Sequence, residues 1–207
     1  MARLDVREII EREAKAQSRK DQWRSIYEDC YEFALPQRNM YDGNYEGGTA
    51  GQRKMGRVFD STAISATQRF ANRIQAGLFP PQKAWCRLEA GTGIPKEQAP
   101  QAQAALDAYT ERMFEVMRQT NFDLAMGEFL LDLCVGTAVM MVTPGDEATP
   151  IRFTPVPQYL VAIEEGTFGN VDNVYRKLRM KCEAIPNEFP DADITPELAD
   201  AIAQSPS

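Results

Sequence analysis

The sequence predicts an α+β fold: several N-terminal helices followed by a small, mostly antiparallel sheet. Three observations carry this. Apolar residues recur at helical spacing in a series of runs that ends near Cys134. Beyond Thr137, three or four short stretches read as strands separated by turn residues. Helices precede the strands as a block, without the βαβ alternation of a nucleotide-binding sheet.

Asp5 is placed to cap a first helix in which Val6, Ile9, Ile10, Ala14 and Ala16 recur near helical spacing. After the polar stretch 17–22, the residues Trp23, Ile26, Tyr27, Cys30, Tyr31 and Ala34 form a second apolar stripe, stopped by Pro36. Two helices or one bent helix satisfy this pattern. From Pro36 to Arg57 the periodicity disappears, and Gly43, Gly47, Gly48, Gly51 and Gly56 break any regular element. Arg38, Arg53, Lys54 and Arg57 make this glycine-rich loop mildly basic and are its candidate contacts to DNA or to a neighbouring subunit.

Asp60, Ser61 and Thr62 then offer the start of a helix with Ile64, Phe70, Ile74 and Leu78 on its apolar face. Gly77 or Phe79 is expected to end it, and Pro80 and Pro81 forbid continuation. Ala84–Glu89 alternates enough for a short strand in which Trp85 buries its ring. A long helix is expected over 97–120, with Pro100 in its first turn and Ala102, Leu106, Tyr109, Met113, Val116 and Met117 on its apolar face. Asn121 is expected to cap a helix from Phe122 to Cys134 that Gly136 closes. Strands are expected at 137–142, 151–156, 159–164 and 171–180, with turns at Pro144–Gly145–Asp146 and between Gly166 and Gly169. Thr195 and Pro196 begin a short helix to about Gln204. This divides the chain into N-terminal helices (1–35), a flexible loop (36–57), a core (58–182) and a Pro-rich segment with a short helix (183–207).

Composition narrows the function. Thirty acidic against 23 basic residues give a net charge of -7. Affinity for duplex DNA comes largely from Lys and Arg displacing counterions, so this chain is a poor candidate for gripping DNA nonspecifically. It can still form a surface past which DNA slides. Histidine is absent, which removes the commonest general base, the commonest metal ligand and every His-based triad. The four cysteines, Cys30, Cys86, Cys134 and Cys182, are far apart and read as reduced thiols in or near a core. No apolar run reaches the roughly 20 residues of a membrane span, and the charged N-terminus lacks the apolar segment of a secretory signal.

Candidate chemistry is sparse. Gly43–Thr49 is glycine-rich like a phosphate-binding loop but lacks the lysine and the preceding strand that such a loop needs. Asp191 and Asp193 form a lone DxD in a Pro-rich segment, short of the oxygen cage a hard cation requires. Glu8, Glu11 and Glu13 alternate with Arg7, Arg12 and Lys15 as on a salt-bridged helix face, which could also meet a neighbouring subunit. Met113, Met117, Met126, Met140 and Met141 read as core filling or as a subunit contact. No cofactor and no catalytic or metal-binding set is predicted. Bottom-up, the chain is a non-catalytic α+β domain with a long glycine-rich loop, and a soluble interaction or adaptor domain is one reading of it.

Several motifs add a resemblance. The run Trp23–Arg38, with its aromatic–Ala–Leu–Pro ending, is followed by Phe59-Asp60-Ser61-Thr62-Ala63, by Gly77-Leu78-Phe79-Pro80-Pro81 and by Trp85-Cys86-Arg87-Leu88. Asn121-Phe122, Asp132-Leu133, Gly136-Thr137-Ala138 and Pro155–Tyr159 keep the same order. Over roughly residues 20–180 this resembles the head-to-tail connecting (portal) protein family of short-tailed, podovirus-type phages. Asp60, Ser61, Thr62, Gly77, Leu78, Phe79, Pro80, Pro81 and Trp85 are then expected to determine the fold.

The resemblance implies the wing portion of a portal subunit, a structural protein of the virion and not an enzyme. Such subunits form a homo-oligomeric ring, usually a dodecamer, at one capsid vertex. The ring contacts the major capsid protein, docks the terminase motor, conducts double-stranded DNA during packaging and ejection, and binds tail adaptor proteins. It implies no membrane partner, and assembly in the host cytoplasm. Full-length relatives add stem, clip and crown regions, so this chain is expected to be a fragment or a truncated product.

Overall fold

The computed structural model describes residues 5–38, 57–81, 83–95, 97–178 and 180–204. It has two compact units, one through Tyr175 and one from Arg176 onward. The fold is α+β, and the β portion is two separate two-stranded antiparallel sheets rather than one sheet.

Two helices open the first unit. α1 (Val6–Asp21) is capped by Asp5, whose carboxylate accepts the Arg7 N–H at 3.4 Å. α2 (Arg24–Ala34) follows after an elbow at Gln22–Trp23 and ends before Pro36. The two helices present opposite chemistry to the core. α2 buries Tyr31 and Leu35 against Leu131, Val135 and Tyr159. α1 buries Ala16 and leaves Val6, Ile9 and Ile10 exposed, contrary to the stripe expected from the sequence. Its inward side is polar: Arg12 pairs with Glu164, and Lys20 donates to the carbonyls of Gln158 and Tyr159, both at 2.8 Å.

α3 (Thr62–Leu78), α4 (Ala99–Arg118) and α5 (Phe122–Val135) form the helical core. Ala71 of α3 and Phe122, Met126 and Leu130 of α5 are its buried centre. Gln75 of α3 fixes the helix pair by donating to the Asp123 carbonyl at 2.8 Å. The inward face of α4 is rotated from the expected one: Thr110 and Phe114 are buried, and Tyr109 is 67 % exposed. Phe70, expected in the core, lies on the exposed side of α3. Pro at the start of α4 sits where its missing N–H costs nothing.

β1 (Val139–Pro144) and β2 (Ile151–Val156) pair antiparallel from Val139↔Val156 to Pro144↔Ile151. Gly145 N–H closes the hairpin on the Pro150 carbonyl at 2.9 Å. Pro144 and Pro155 lack N–H groups, which is tolerated because each strand of a two-stranded sheet is an edge. After a 3-10 turn at Gln158–Leu160, β3 (Val161–Glu165) pairs with β4 (Val171–Arg176). α1 lies against β3, and α5 lies against β2.

The stretch expected as a strand at Ala84–Glu89 has no regular secondary structure and joins no sheet. Side chains of α4 replace the missing neighbour strand. Thr110 Oγ1 accepts the Leu88 N–H at 3.1 Å, Gln103 Oε1 accepts the Ala90 N–H at 3.1 Å, and Gln103 Nε2 donates to the Leu88 carbonyl at 3.0 Å. Alternation in the sequence could not reveal that a helix would supply the partners of this stretch.

In the second unit, α6 (Ile185–Glu188) is a single turn. α7 (Pro196–Gln204) starts as expected, with Leu198 N–H donated to Thr195 Oγ1 at 3.4 Å.

Candidate functional site

The residues singled out by motif gather in two places. The first is an aromatic cluster below the α3 exit. Phe79 follows the last residue of α3, and the Pro80–Pro81 exit brings the chain round so that Trp85 meets it edge-on, ring centroids 5.1 Å apart. Trp85 also stacks on Phe122 at 5.9 Å and meets Phe114 edge-on at 5.5 Å. Phe122 extends the cluster to Phe153 of β2 at 5.1 Å. Trp85 therefore ties α3, α4 and α5 together, although it is 36 % exposed rather than fully buried.

Asn121 secures the far side. Its side chain makes no cap at the start of α5, contrary to expectation. It clamps the Phe153 backbone instead, accepting the Phe153 N–H at 3.1 Å and donating to the Phe153 carbonyl at 2.7 Å. A primary amide can mimic a neighbouring strand in this way. The motif Asn121-Phe122 thus positions an aromatic ring and its backbone support with adjacent residues.

At the start of α3, Asp60 is the cap: its carboxylate accepts the Thr62 N–H at 2.7 Å, and that bond lowers its pKa from the ordinary value. The Ser61 side chain makes no cap hydrogen bond. Gly77 lies inside α3, not at its end, and a Cβ there would meet open space. Leu78 is exposed.

The second place is the pair of described residues that flank 39–56. Arg38 Nη1 donates to Asp132 Oδ2 at 2.7 Å, and Nη2 to Glu128 Oε2 at 2.7 Å. The Tyr31 hydroxyl donates to the other Asp132 oxygen at 3.2 Å. Asp132 is 1 % exposed. Burial pushes its carboxyl above the ordinary value, while the Arg38 guanidinium and the Tyr31 hydroxyl pull it back. On the other side Arg57 is clasped by Glu32 and by Asp29, the latter at 2.7 Å, and its guanidinium lies 5.4 Å from the Phe33 ring centroid. Hydrogen bonds from Arg57 hold Glu32 below the usual carboxylate range. Arg53 and Lys54 lie outside the described residues. Arg38 and Arg57 direct their guanidinium groups at carboxylates of their own chain, so both act here as fasteners onto α2 and α5.

The chemistry of these two places is cohesive. Asp132 is satisfied by a cation and a hydroxyl. No group of three or more Cys, Asp or Glu side chains among the described residues could hold a metal ion. No helix there is long and apolar enough to cross a membrane. Cys86 and Cys134, expected in or near the core, are exposed thiols.

Residues 6–207 match the family model of the bacteriophage head to tail connecting protein. The chain belongs to that family. The motifs that suggested it now have structural roles: Phe79, Trp85 and Phe122 form the connector's aromatic cluster, and Asp132 holds the buried arginine clasp. No curated protein matches the sequence. Membership makes the chain a head-to-tail connector component and gives it a place in the phage particle. It groups the chain with structural proteins rather than with an enzyme family.

Proposed function

We propose that the chain is a subunit of the portal ring, the homo-oligomeric channel, usually of twelve copies, through which double-stranded DNA is packaged and ejected and on which the tail assembles. The family match across residues 6–207 carries this reading. In this reading residues 58–182 act as the wing core that wedges between neighbouring copies. In that reading the major capsid protein surrounds the wing, a separate terminase motor supplies chemical energy, and tail adaptor proteins dock after packaging. The net charge of -7 suits a channel past which DNA moves without being trapped. Contacts between identical subunits are heterologous and close into a ring when the rotation per subunit is right.

The test is electron microscopy of the purified product of the complete reading frame, together with labelling of phage particles with an antibody to this chain. Annular particles and label at a single vertex are expected. A stable monomer, absent from particles, would overturn the reading in favour of an adaptor protein.

A further inference from the structure

A cleft of about 500 Å³ opens between the α1–α2 elbow and the strands β1 and β3. Trp23, Tyr27, Val139 and Ile163 give it apolar walls. Gln158 also lines it, is 6 % exposed, and carries a buried Oε1 that receives no hydrogen among the described residues. That oxygen is enclosed by its own chain, packed close over Gly136. Arg19, also on the cleft, makes no ion pair among the described residues.

The same unit carries a matching projection. The β3–β4 turn is closed by Gly166 N–H to the Asn170 carbonyl at 2.8 Å and by Gly169 N–H to the Gly166 carbonyl at 3.1 Å, with Gly169 at φ +74°. At its tip Phe168 is 90 % exposed. A large aromatic held in water on a preorganised turn loses little freedom on docking. The tip residues 166–170 are uncharged, and Asp172 beside them makes no ion pair among the described residues. Phe168 does not fill the cleft of its own chain, because the closed turn holds it out in solvent.

We propose that the Phe168 turn of one copy seats in the elbow cleft of a second copy, with Asp172 facing Arg19. The second copy is the occupant because one chain presents both halves: an apolar cleft edged by a cation that makes no ion pair among the described residues, and an apolar knob beside a carboxylate that makes none there either. This rests on the homo-oligomer reading above and names the surface that makes it.

The test replaces Phe168 with the photoreactive analogue p-benzoylphenylalanine in the full-length protein, mixes isotopically light and heavy copies, irradiates, and maps cross-linked peptides by mass spectrometry. Intermolecular links to 23–27 or 137–139 are expected. Arg19→Asp should cut their yield several-fold, and Asp172→Arg in the same chain should restore it. Phe168→Ala, which removes an exposed ring, should melt like the parent while slowing assembly. Annular particles whose links map elsewhere, or that give no link, overturn this contact and leave the portal reading standing. A protein that stays monomeric at every concentration overturns both.

Discussion

The two arginines on either side of 39–56 use the same chemistry in different surroundings. Arg38 reaches Asp132 where the carboxylate is almost wholly buried, whereas Arg57 reaches Asp29 and Glu32 with its own side chain 60 % exposed. In water an ion pair gains little, because solvent already stabilises both charges and salt screens them. Inside the protein the pair is not strongly stabilising either, but each partner becomes indispensable to the other. The difference therefore lies less in what each clasp adds than in what its loss exposes.

The sharpest way to break the comparison is Arg38→Met. It leaves Asp132 buried beside α2 and α5 with the Tyr31 hydroxyl as its remaining donor. The cost at neutral pH should be about 3–5 kcal/mol, read from denaturant melts. The pH dependence has a definite sign. The folded pKa of Asp132 is raised by burial, so this carboxyl favours folding below its unfolded value of about 4, and that contribution is lost as pH rises through the folded pKa. Removing Arg38 raises the folded pKa further. The gap between parent and Arg38→Met should narrow as pH falls from 7 towards 4, and a gap that widens would show that Asp132 is not the stranded charge. Glu32, Asp60 and Glu164 act in the opposite sense, since their lowered pKa values favour folding above about 4 and that favour is lost in acid.

Trp85→Ala supplies the uncharged counterpart. Full burial of the ring would place its loss at about 3–5 kcal/mol; a ring about one-third exposed should cost about 2–3 kcal/mol. This loss should not change with salt and should vary little between pH 5 and 8, because the groups it meets are Phe79, Phe114 and Phe122. An unchanged melt would mean that the aromatic cluster does not couple α3 to α5. Tyr31→Phe is smaller again. It removes one hydrogen bond to Asp132 while keeping the buried ring, and about 1–2 kcal/mol is expected at neutral pH.

These residues also show where sequence reasoning worked and where it stopped. Helix positions were legible because capping residues and prolines act locally: Asp5, Asp60, Pro36 and Pro196 all mark the boundaries expected of them. Which helix face turns inward was less legible. α1 packs its polar side because Glu164 and the carbonyls of Gln158 and Tyr159, more than a hundred residues away, supply its partners. Trp85 was found by motif, but its partner Phe114 and the Phe122–Phe153 contact beyond it were not, since nothing local announces a T-shaped contact. Asp132 stood in the quoted motif without a role, and an acid set between Leu131 and Leu133 in an apolar run was the available signal. Asn121 was assigned a cap, a local role, when its side chain instead serves a strand 32 residues on.

The smallest effect belongs to the exposed clasp and completes the comparison. Arg57→Gln removes the cation from Asp29, which is 59 % exposed, and from Glu32, which is 16 % exposed beneath the guanidinium and gains access to water when that group is gone. Its melt should differ from the parent only slightly at low ionic strength, and the difference should vanish in high salt as screening does the same work in both proteins. The deficit of Arg38→Met should persist in that same salt, because ions do not reach a carboxylate that is 1 % exposed. If Arg57→Gln instead equalled Arg38→Met, Arg57 would have to hold more than two surface carboxylates. Its cation–π contact with Phe33 would be the first candidate, tested by Phe33→Leu, which keeps apolar bulk and removes the ring face.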